Sequence, residues 1–121
     1  MIRSPAIAAA ALGTLAVVLG AFGAHALRDQ LDAGALQIWH TAVEYQFWHA
    51  LALLGLAGAP ASRWRLAASI AFGAGTLLFC GSLYALALGA PGWIGAITPF
   101  GGLSFIAGWI CLGGAFWRSA R

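Results

Sequence analysis

Two histidines and the only glutamate of the chain lie close together in an otherwise apolar stretch. His40, Glu44 and His49 belong to the segment 40–49, which reads His-Thr-Ala-Val-Glu-Tyr-Gln-Phe-Trp-His. Imidazole and carboxylate groups can bind a metal ion, relay protons or hydrogen-bond a ligand. An ionisable side chain at mid-bilayer costs about 3 kcal/mol or more, so such groups are expected to face protein or water rather than lipid. The segment therefore predicts the polar interior of the molecule.

The composition places the chain in a membrane. Of its 121 residues 62% are hydrophobic and 7% are charged, and the mean hydropathy is +0.89. Too few polar residues remain to cover a soluble surface. The basic residues are all arginines, scattered singly or in pairs, whereas nucleic-acid binding needs a basic stripe and is not expected. Cys80 and Cys111 fall within apolar runs and are interpreted as small core residues, not as a disulfide or metal pair.

Four apolar runs, separated by short links, divide the chain. Each is long enough to cross the hydrocarbon core, which takes about 20 helical residues, and none shows the alternation of a transmembrane strand. Lipid offers the backbone no hydrogen-bond partners, so the runs should be helical. We predict an all-α membrane protein, a single domain of residues 1–121 with four transmembrane helices in one bundle, approximately at 5–26, 36–59, 66–89 and 99–117.

The arginines also predict the orientation of this bundle. In a four-span layout Arg28 alone lies on one side and the other five arginines lie on the opposite side. The arginine-rich side is expected to be cytoplasmic, which places both termini in the cytoplasm. Four tryptophans near the ends of the runs are interpreted as interface anchors: Trp64 and Trp117 on the inner side, and Trp39 and Trp93 on the outer side.

Small residues recur at four-residue spacing on the predicted helices, for example at Gly20 and Ala24 and again at Ser104 and Gly108. Small side chains let the backbones of two membrane helices approach closely. Packing within one chain accounts for most of this surface, and association into a homo-oligomer is the alternative.

The polar side chains of the second run belong to the outer half of the membrane. At about 1.5 Å per residue, Glu44 lies roughly 12 Å and His49 roughly 20 Å from the outer end of the run. Polar groups cover most of the circumference of this part of the helix, so we expect it to be central in the bundle or buried in an oligomer. His25 reaches a depth similar to that of His40, which makes a shared polar cluster feasible. Mutual hydrogen bonding is the usual way in which such groups are satisfied.

Three chemical alternatives use the same residues. His25, His40 and Glu44 offer two imidazoles and a carboxylate, a set that suits zinc with an open fourth position. A haem would need two histidines at matched depth, and only His25 with His40 meets that condition. Proton or ion conduction needs polar groups across the whole span, and the inner half offers only a few hydroxyl groups. Conduction would therefore require an oligomer.

Enzyme signatures are missing from the sequence. The nucleophile elbow of serine hydrolases, the phosphate-binding loop and the zinc-protease motif are all absent. We therefore expect no enzymatic activity, and neither a cofactor nor a metal.

Short motifs follow one another in a fixed order on all four runs. They are Gly20-Ala21-Phe22-Gly23-Ala24-His25, Thr41-Ala42-Val43, Tyr45-Gln46, His49-Ala50-Leu51, Gly81-Ser82-Leu83-Tyr84, Thr98-Pro99-x-Gly101-Gly102, Phe105 and Gly108-Trp109. As a set they resemble the domain-of-unknown-function family 423. The resemblance implies a small four-helix membrane protein, of the bacterial plasma membrane in most members. It brings no established activity, cofactor or catalytic residue.

The resemblance also implies which polar residues belong together. The family pattern includes positions that match neutral or near-neutral hydrogen-bonding residues on several helices. The candidate binding cluster that it favours, in the outer leaflet half, consists of His25, Tyr45, Gln46, His49, Ser82, Tyr84 and Thr98. His40 and Glu44, whose positions are freer in the family, are accessory candidates.

These observations predict a small multi-pass integral membrane protein of the bacterial inner membrane whose molecular activity the sequence does not define. A non-enzymatic binding or structural protein is the simplest interpretation, because neutral polar groups suit a lipid headgroup, a quinone-like ring or a partner helix. One alternative is a small oligomeric transporter or channel, suggested by Glu44 and His49. Another is an accessory subunit of a larger membrane complex, suggested by the small-residue faces. Membrane lipid is the expected partner in every case.

Overall fold

Helices account for all regular secondary structure in the described part of the chain. The computed structural model describes residues 3–119, and the side chains of residues 5–119. The elements in chain order are α1 (Arg3–His25), α2 (Ala33–Leu56), α3 (Arg63–Gly75), a π-helical segment (Thr76–Cys80), α4 (Gly81–Ala87), a short 3₁₀ helix (Gly92–Ala96) and α5 (Thr98–Ser119). The predicted all-α fold is confirmed for these residues.

The starts of two helices lie three residues earlier than predicted, and side-chain caps explain both. α2, predicted from 36, begins at Ala33 because the Asp32 carboxylate accepts a 2.8 Å hydrogen bond from an N–H of the first turn. α3, predicted from 66, begins at Arg63 because the Ser62 hydroxyl accepts from a first-turn N–H at 3.1 Å. Both capping residues are of types that favour this position, because their side chains satisfy a backbone donor that the helix leaves unpaired.

Two helix ends also lie earlier than predicted. α2, predicted to reach 59, ends at Leu56, and a turn leads from there to Pro60. α4, predicted to reach 89, ends at Ala87, and Gly89 adopts a φ of 100°. This left-handed conformation suits glycine and lets the Ala90 N–H bond back to the helix at 2.9 Å. The first and last helices, α1 and α5, were predicted at 5–26 and 99–117, and their observed bounds differ from these by at most two residues.

The three elements from α3 to α4 form one continuous rod, Arg63–Ala87. Its middle is the π-helical segment, in which each N–H bonds the carbonyl five residues back and the turn holds an extra residue. Phe79 lies in this segment, and Gly101 of α5 packs directly on its backbone: a Cβ at Gly101 would collide with the backbone nitrogen of Phe79. The widened turn is thus the closest approach between the rod and α5.

Two antiparallel helix pairs build the bundle, and the first consists of α1 and α2. The Trp39 indole N–H donates to the Leu19 carbonyl at 2.9 Å, and further along the pair Gln46 donates to the Leu12 carbonyl at 2.9 Å. These side chains bond main-chain oxygens of the other helix, which fixes the register of the pair without a second polar side chain.

The second pair consists of the Arg63–Ala87 rod and α5, and glycines of α5 give room to aromatic rings of the rod. A Cβ at Gly108 would lie 2.6 Å from the Phe72 ring, and one at Gly114 would lie 2.7 Å from the Trp64 ring. Phe72 is fully buried, as are Leu53 and Leu56 of α2. The core therefore lies where α2 meets the rod, and it joins the two pairs.

Two of the four tryptophans interpreted as interface anchors are not placed as such. Trp39 is 3% exposed and packs between helices, because its indole N–H finds a carbonyl there. Trp64 is half-buried over Gly114, and its Nε1 is buried with no hydrogen-bond partner among the described residues. Trp93 and Trp117 are well exposed, as anchors would be.

Among the described residues, three helical stretches are long and apolar enough to cross a membrane: Pro5–His25, Arg63–Ala87 and Gly92–Ser119. α2 has 24 residues, a length between the shortest and the longest of these stretches, but it carries the polar stretch 40–49. Large apolar side chains, among them Ile70, Leu77 and Ile110, cover the outside of the bundle. A surface of this kind is stable in lipid and not in water.

Candidate functional site

His49 of α2 lies at the centre of an aromatic cluster. Its Nδ1 lies 2.7 Å from the Tyr45 carbonyl oxygen, and its Nε2 lies 3.1 Å from the indole Nε1 of Trp109 on α5. A carbonyl only accepts and an indole N–H only donates, so this geometry defines the neutral tautomer with its proton on Nδ1. The ring is stacked on Phe105 with centroids 3.6 Å apart. Both nitrogens and one face of the imidazole are therefore occupied.

A groove opens beside this histidine on the outer surface of the bundle, between α2 and α5. It has a volume of roughly 610 Å³, which is in the range of small-molecule sites. His49 lies at its floor and is 4% exposed. The remaining lining is almost entirely apolar or aromatic: Tyr45, Trp48, Leu51, Gly102, Phe105, Ile106 and Trp109. Half-exposed side chains on both rims leave the groove open sideways, towards the lipid.

Tyr45 provides the one uncommitted hydroxyl of this groove. Its ring packs on Phe79 at a centroid distance of 4.5 Å and on Trp48 at 4.9 Å. Within residues 3–119 its hydroxyl makes no hydrogen bond, and it is not among the buried unpaired atoms. It therefore reaches the surface as a donor and acceptor available to a bound molecule.

A second polar contact clamps three helices together. Gln46 is 3% exposed; its amide nitrogen donates to the Leu12 carbonyl of α1, and its amide oxygen accepts from the Tyr84 hydroxyl of α4 at 2.8 Å. The Tyr84 ring packs edge-on against Trp39 with centroids 4.7 Å apart. The amide nitrogen and the amide oxygen of Gln46 both bond other parts of the protein. We therefore assign this clamp a structural role.

The third contact joins α4 to the start of α5. The hydroxyls of Ser82 and Thr98 lie 2.6 Å apart, and Ser82 also donates to the Phe79 carbonyl at 3.0 Å. A hydroxyl has one proton, so Ser82 accepts from Thr98 when it donates to Phe79. Thr98, the first residue of α5, thus bonds across the helices.

The candidate cluster is accordingly divided in the structure. Gln46 with Tyr84, Ser82 with Thr98, and His49 with Trp109 are separate pairs, and Tyr45 lies beside the last of them. His25, at the end of α1, is exposed and joins none of them. The accessory residues His40 and Glu44 are exposed on α2, on the outside of the bundle. We expected this part of α2 to be central in the bundle or buried in an oligomer: within one chain these two side chains are not buried, and the oligomer alternative stays a prediction.

The metal alternative finds no site in the part of the chain that the structure describes. His25, His40 and Glu44 are not brought together, and no group of three or more histidine, cysteine, aspartate or glutamate residues is placed to hold an ion there. Cys80 is buried and Cys111 half-buried, and both are free thiols. Cys80 belongs to the hydrophobic core, and Cys111 packs against it.

Trp109 and Phe105 are not among the candidate site residues predicted from the sequence, because their residue types do not indicate such a role. Both belong to a motif of the fourth run, but an apolar aromatic in a membrane helix is ordinarily a packing or lipid-facing residue. The spacing Phe105-x-x-x-Trp109 places both rings on one face of α5. Only the rotation of α5 relative to α2 shows that this face meets His49.

The fold of the described residues defines an all-helical membrane protein with an aromatic groove on the outside of its helix bundle. A family model described as a protein of unknown function, DUF423, matches residues 19–102. The chain belongs to this family. The matched region contains α2, the rod and most of the polar contacts described above.

Bacterial membrane proteins are similar to the chain over most of its length. A relative in Bacillus subtilis strain 168, named UPF0382 membrane protein YwdK, is 41% identical over 108 residues, covering 81% of this chain and 83% of the relative. In Escherichia coli K12, UPF0382 inner membrane protein YgdD is 46% identical over 106 residues, covering 85% of this chain and 81% of the relative. No solved structure matches the chain significantly. These names identify a membrane protein of unknown function and no specific activity.

Proposed function

We propose that this protein is a non-enzymatic binding protein of the bacterial inner membrane, and that the groove between α2 and α5 holds a planar, membrane-dissolved molecule such as a quinone-like ring. The observation that carries the proposal is an aromatic groove lined by the neutral His49 and by Tyr45, whose hydroxyl makes no hydrogen bond within residues 3–119. Aromatic walls bind a flat ring by stacking. The Tyr45 hydroxyl can donate to a carbonyl at the edge of such a ring.

The polar contacts of the groove favour binding over chemistry. His49 has both nitrogens engaged, at 2.7 Å and 3.1 Å, so neither nitrogen is free to take a proton from the Tyr45 hydroxyl, and no hydrogen bond joins the two side chains within residues 3–119. Nucleophilic catalysis needs such a nucleophile within hydrogen-bond reach of a base. A lipid headgroup fits less well than a ring, because the groove lies about 20 Å below the outer end of the predicted span.

Fluorescence of the purified protein in nanodiscs tests the groove, because Trp48 and Trp109 line it. Ubiquinone-1 serves as the probe, and we expect saturable quenching. Ile106→Trp fills the groove and should abolish saturable binding measured by calorimetry, whereas Leu103→Trp, an equally exposed position one turn away on α5, should not. Linear, unsaturated quenching of all three proteins would refute the proposal.

The proposal includes a four-span topology with both termini in the cytoplasm. α2 supports it, because side chains along α2 bond both Leu19 and Leu12 of α1, so that the two helices run side by side through the same depth. A helix of 24 residues is about 36 Å long, enough to cross the hydrocarbon core. The arginine distribution supports the orientation.

Cysteine accessibility tests this topology. In a background in which Cys80 and Cys111 are replaced by alanine, Gln30→Cys should react with a membrane-impermeant maleimide from the outside of intact cells. Ala61→Cys should react only after the cells are opened. Reaction of both positions from the same side would contradict the four-span arrangement.

A transporter or channel is the second candidate, and the exposed carboxylate of Glu44 favours it. Within one chain the hydroxyls of the inner half are bonded to their own helices: Thr14 to the Ala10 carbonyl, Ser69 to Arg65 and Thr76 to Phe72. A polar path would therefore run between copies. Proteoliposomes that show no flux of protons or metal ions at an imposed potential would exclude this candidate.

The accessory-subunit interpretation would be supported by a second polypeptide that co-purifies in mild detergent.

A further inference from the structure

A carboxylate on the lipid-facing side of α2 needs a partner that the single chain does not provide. Glu44 is exposed, and within residues 3–119 it makes no hydrogen bond or ion pair. It lies 11 residues after the start of α2 at Ala33, about 16 Å along the helix. If α2 crosses the membrane as proposed above, this depth is within the hydrocarbon core, where an unpaired carboxylate costs several kcal/mol.

The surface around Glu44 has the shape of a helix-docking site. A groove of roughly 460 Å³ runs between α1 and α2. Ala16, Gly20 and Ala21 of α1 form one side of it, and Val43, Phe47 and Trp48 of α2 accompany Glu44 on the other. Small residues on α1 let a second backbone approach closely, as they do between membrane helices that associate.

The exposed ridge of α2 has the spacing of a helix–helix seam. Positions three and four residues apart in alternation are all exposed, and they are Gln37, His40, Glu44, Phe47, Leu51 and Leu54. This 3-4 repeat is the pattern with which two parallel helices pack along their whole length. The outer half of the ridge is polar and the inner half is apolar, so two ridges match only when they run parallel and in register.

We propose that this ridge and the adjoining α1–α2 groove are the interface of a homodimer, with a two-fold axis along the membrane normal. The occupant is a second copy because each ridge carries both an acceptor, the Glu44 carboxylate, and a donor, the His40 imidazole, that can hydrogen-bond the corresponding groups of another ridge. A two-fold axis in this direction brings equal depths together, and His40 and Glu44 are one helical turn apart, about 6 Å. Each carboxylate can then accept from the imidazole of the other copy, and both polar groups leave the lipid.

The inference rests on the four crossings and not on the ligand of the α2–α5 groove. Labelling distinguishes a failure of the topology from a failure of the dimer. If α2 does not cross, Glu44→Cys in the cysteine-free background will react with a membrane-impermeant maleimide as readily as Gln30→Cys, and this outcome overturns the inference. Protection of Glu44→Cys supports it.

Cross-linking in membranes tests the interface directly. Phe47→Cys lies on the ridge, where a two-fold axis brings identical positions together, and oxidation should give a disulfide-linked dimer. Ile110→Cys is the control, because it is exposed on α5 at a comparable depth. We expect the dimer from the first variant and little from the second. Equal cross-linking of the two, or none of the first, overturns the proposal.

Glu44→Leu and Glu44→Gln form a matched pair for the polar contact. Single-molecule photobleaching in liposomes should show two-step bleaching for the unchanged chain and for Glu44→Gln, which retains an acceptor. Glu44→Leu should dimerise roughly tenfold more weakly, because it loses two symmetric interhelical hydrogen bonds. Glu44 is exposed, so its replacement removes no packing contact of the single chain, and an unchanged circular dichroism spectrum would verify the fold. Dimerisation of Glu44→Leu at full strength, or single-step bleaching of the unchanged chain, refutes the proposal.

Discussion

The indole N–H of Trp109 donates to Nε2 of His49 across 3.1 Å, which joins α5 to α2 beneath the aromatic groove. The bond requires a proton on Nδ1, which is in turn donated to the Tyr45 carbonyl at 2.7 Å. The imidazole therefore acts as a relay of hydrogen bonds between a side chain of one helix and the backbone of another. Its stacking on Phe105 at 3.6 Å fixes the plane of the imidazole ring.

The first prediction concerns this tautomer. Solid-state NMR of the protein with ¹⁵N-labelled histidine should show one histidine with a protonated Nδ1 and an unprotonated, hydrogen-bonded Nε2. Trp109→Phe should shift the Nε2 resonance towards that of a free acceptor, whereas Trp93→Phe, at an exposed position far along the chain, should leave it unchanged. A protonated Nε2 in the unchanged protein would contradict the assigned geometry.

The second prediction concerns the energy of the same contact. His49→Leu and Trp109→Phe should each lower the free energy of unfolding in mixed micelles. A double-mutant cycle of the two should give a coupling energy of about 0.6–1.7 kcal/mol, the range of interhelical hydrogen bonds in membrane proteins. Strict additivity of the two changes would show that the bond contributes nothing to stability.

The third prediction uses the clamp between Gln46 and Tyr84. Either Gln46→Leu or Tyr84→Phe leaves the other partner unpaired in a buried position, and each should cost about 1–3 kcal/mol of unfolding free energy. The double variant removes both polar groups and should cost clearly less than the sum of the two. Urea unfolding followed by circular dichroism measures all four proteins. A double variant as unstable as the sum would contradict the assigned pairing of the amide oxygen with the hydroxyl.

The positions of the helices follow from the sequence because lipid imposes them. An apolar run must satisfy its backbone internally, so length and hydropathy alone locate α1, the rod and α5. The caps at Asp32 and Ser62 are visible in the sequence as well, although the predicted starts did not use them. The π-helical segment at Thr76–Cys80 is different: one extra residue in a turn leaves no periodic signal in a helix that is apolar on every side.

The rotation of each helix about its axis was the main obstacle to predicting the site. Depth along the membrane can be counted from the sequence, and it brings His25 and His40 to similar levels. The direction in which a side chain points around its helix cannot be counted in this way, because it depends on how glycines and aromatic rings pack between helices. Hence Gln46 and Tyr84 do meet, whereas His25 and His40 point away from the bundle. Trp39, interpreted as an anchor from its position near a helix end, is buried for the same reason.

The fourth prediction tests that interlocking at the π-helical segment. Gly101→Ala places a methyl group against the backbone of Phe79, which cannot move aside as a side-chain tip could, whereas a Cβ at Gly113 on the same helix meets nothing within 4 Å. Overpacking of this kind typically costs about 1–3 kcal/mol, and Gly113→Ala should instead be neutral or stabilising by up to about 1 kcal/mol through helix propensity. Thermal unfolding in nanodiscs should therefore separate the two alanine variants in opposite directions. If Gly101→Ala unfolds at or above the temperature of the unchanged protein, the rod and α5 do not approach as closely as described.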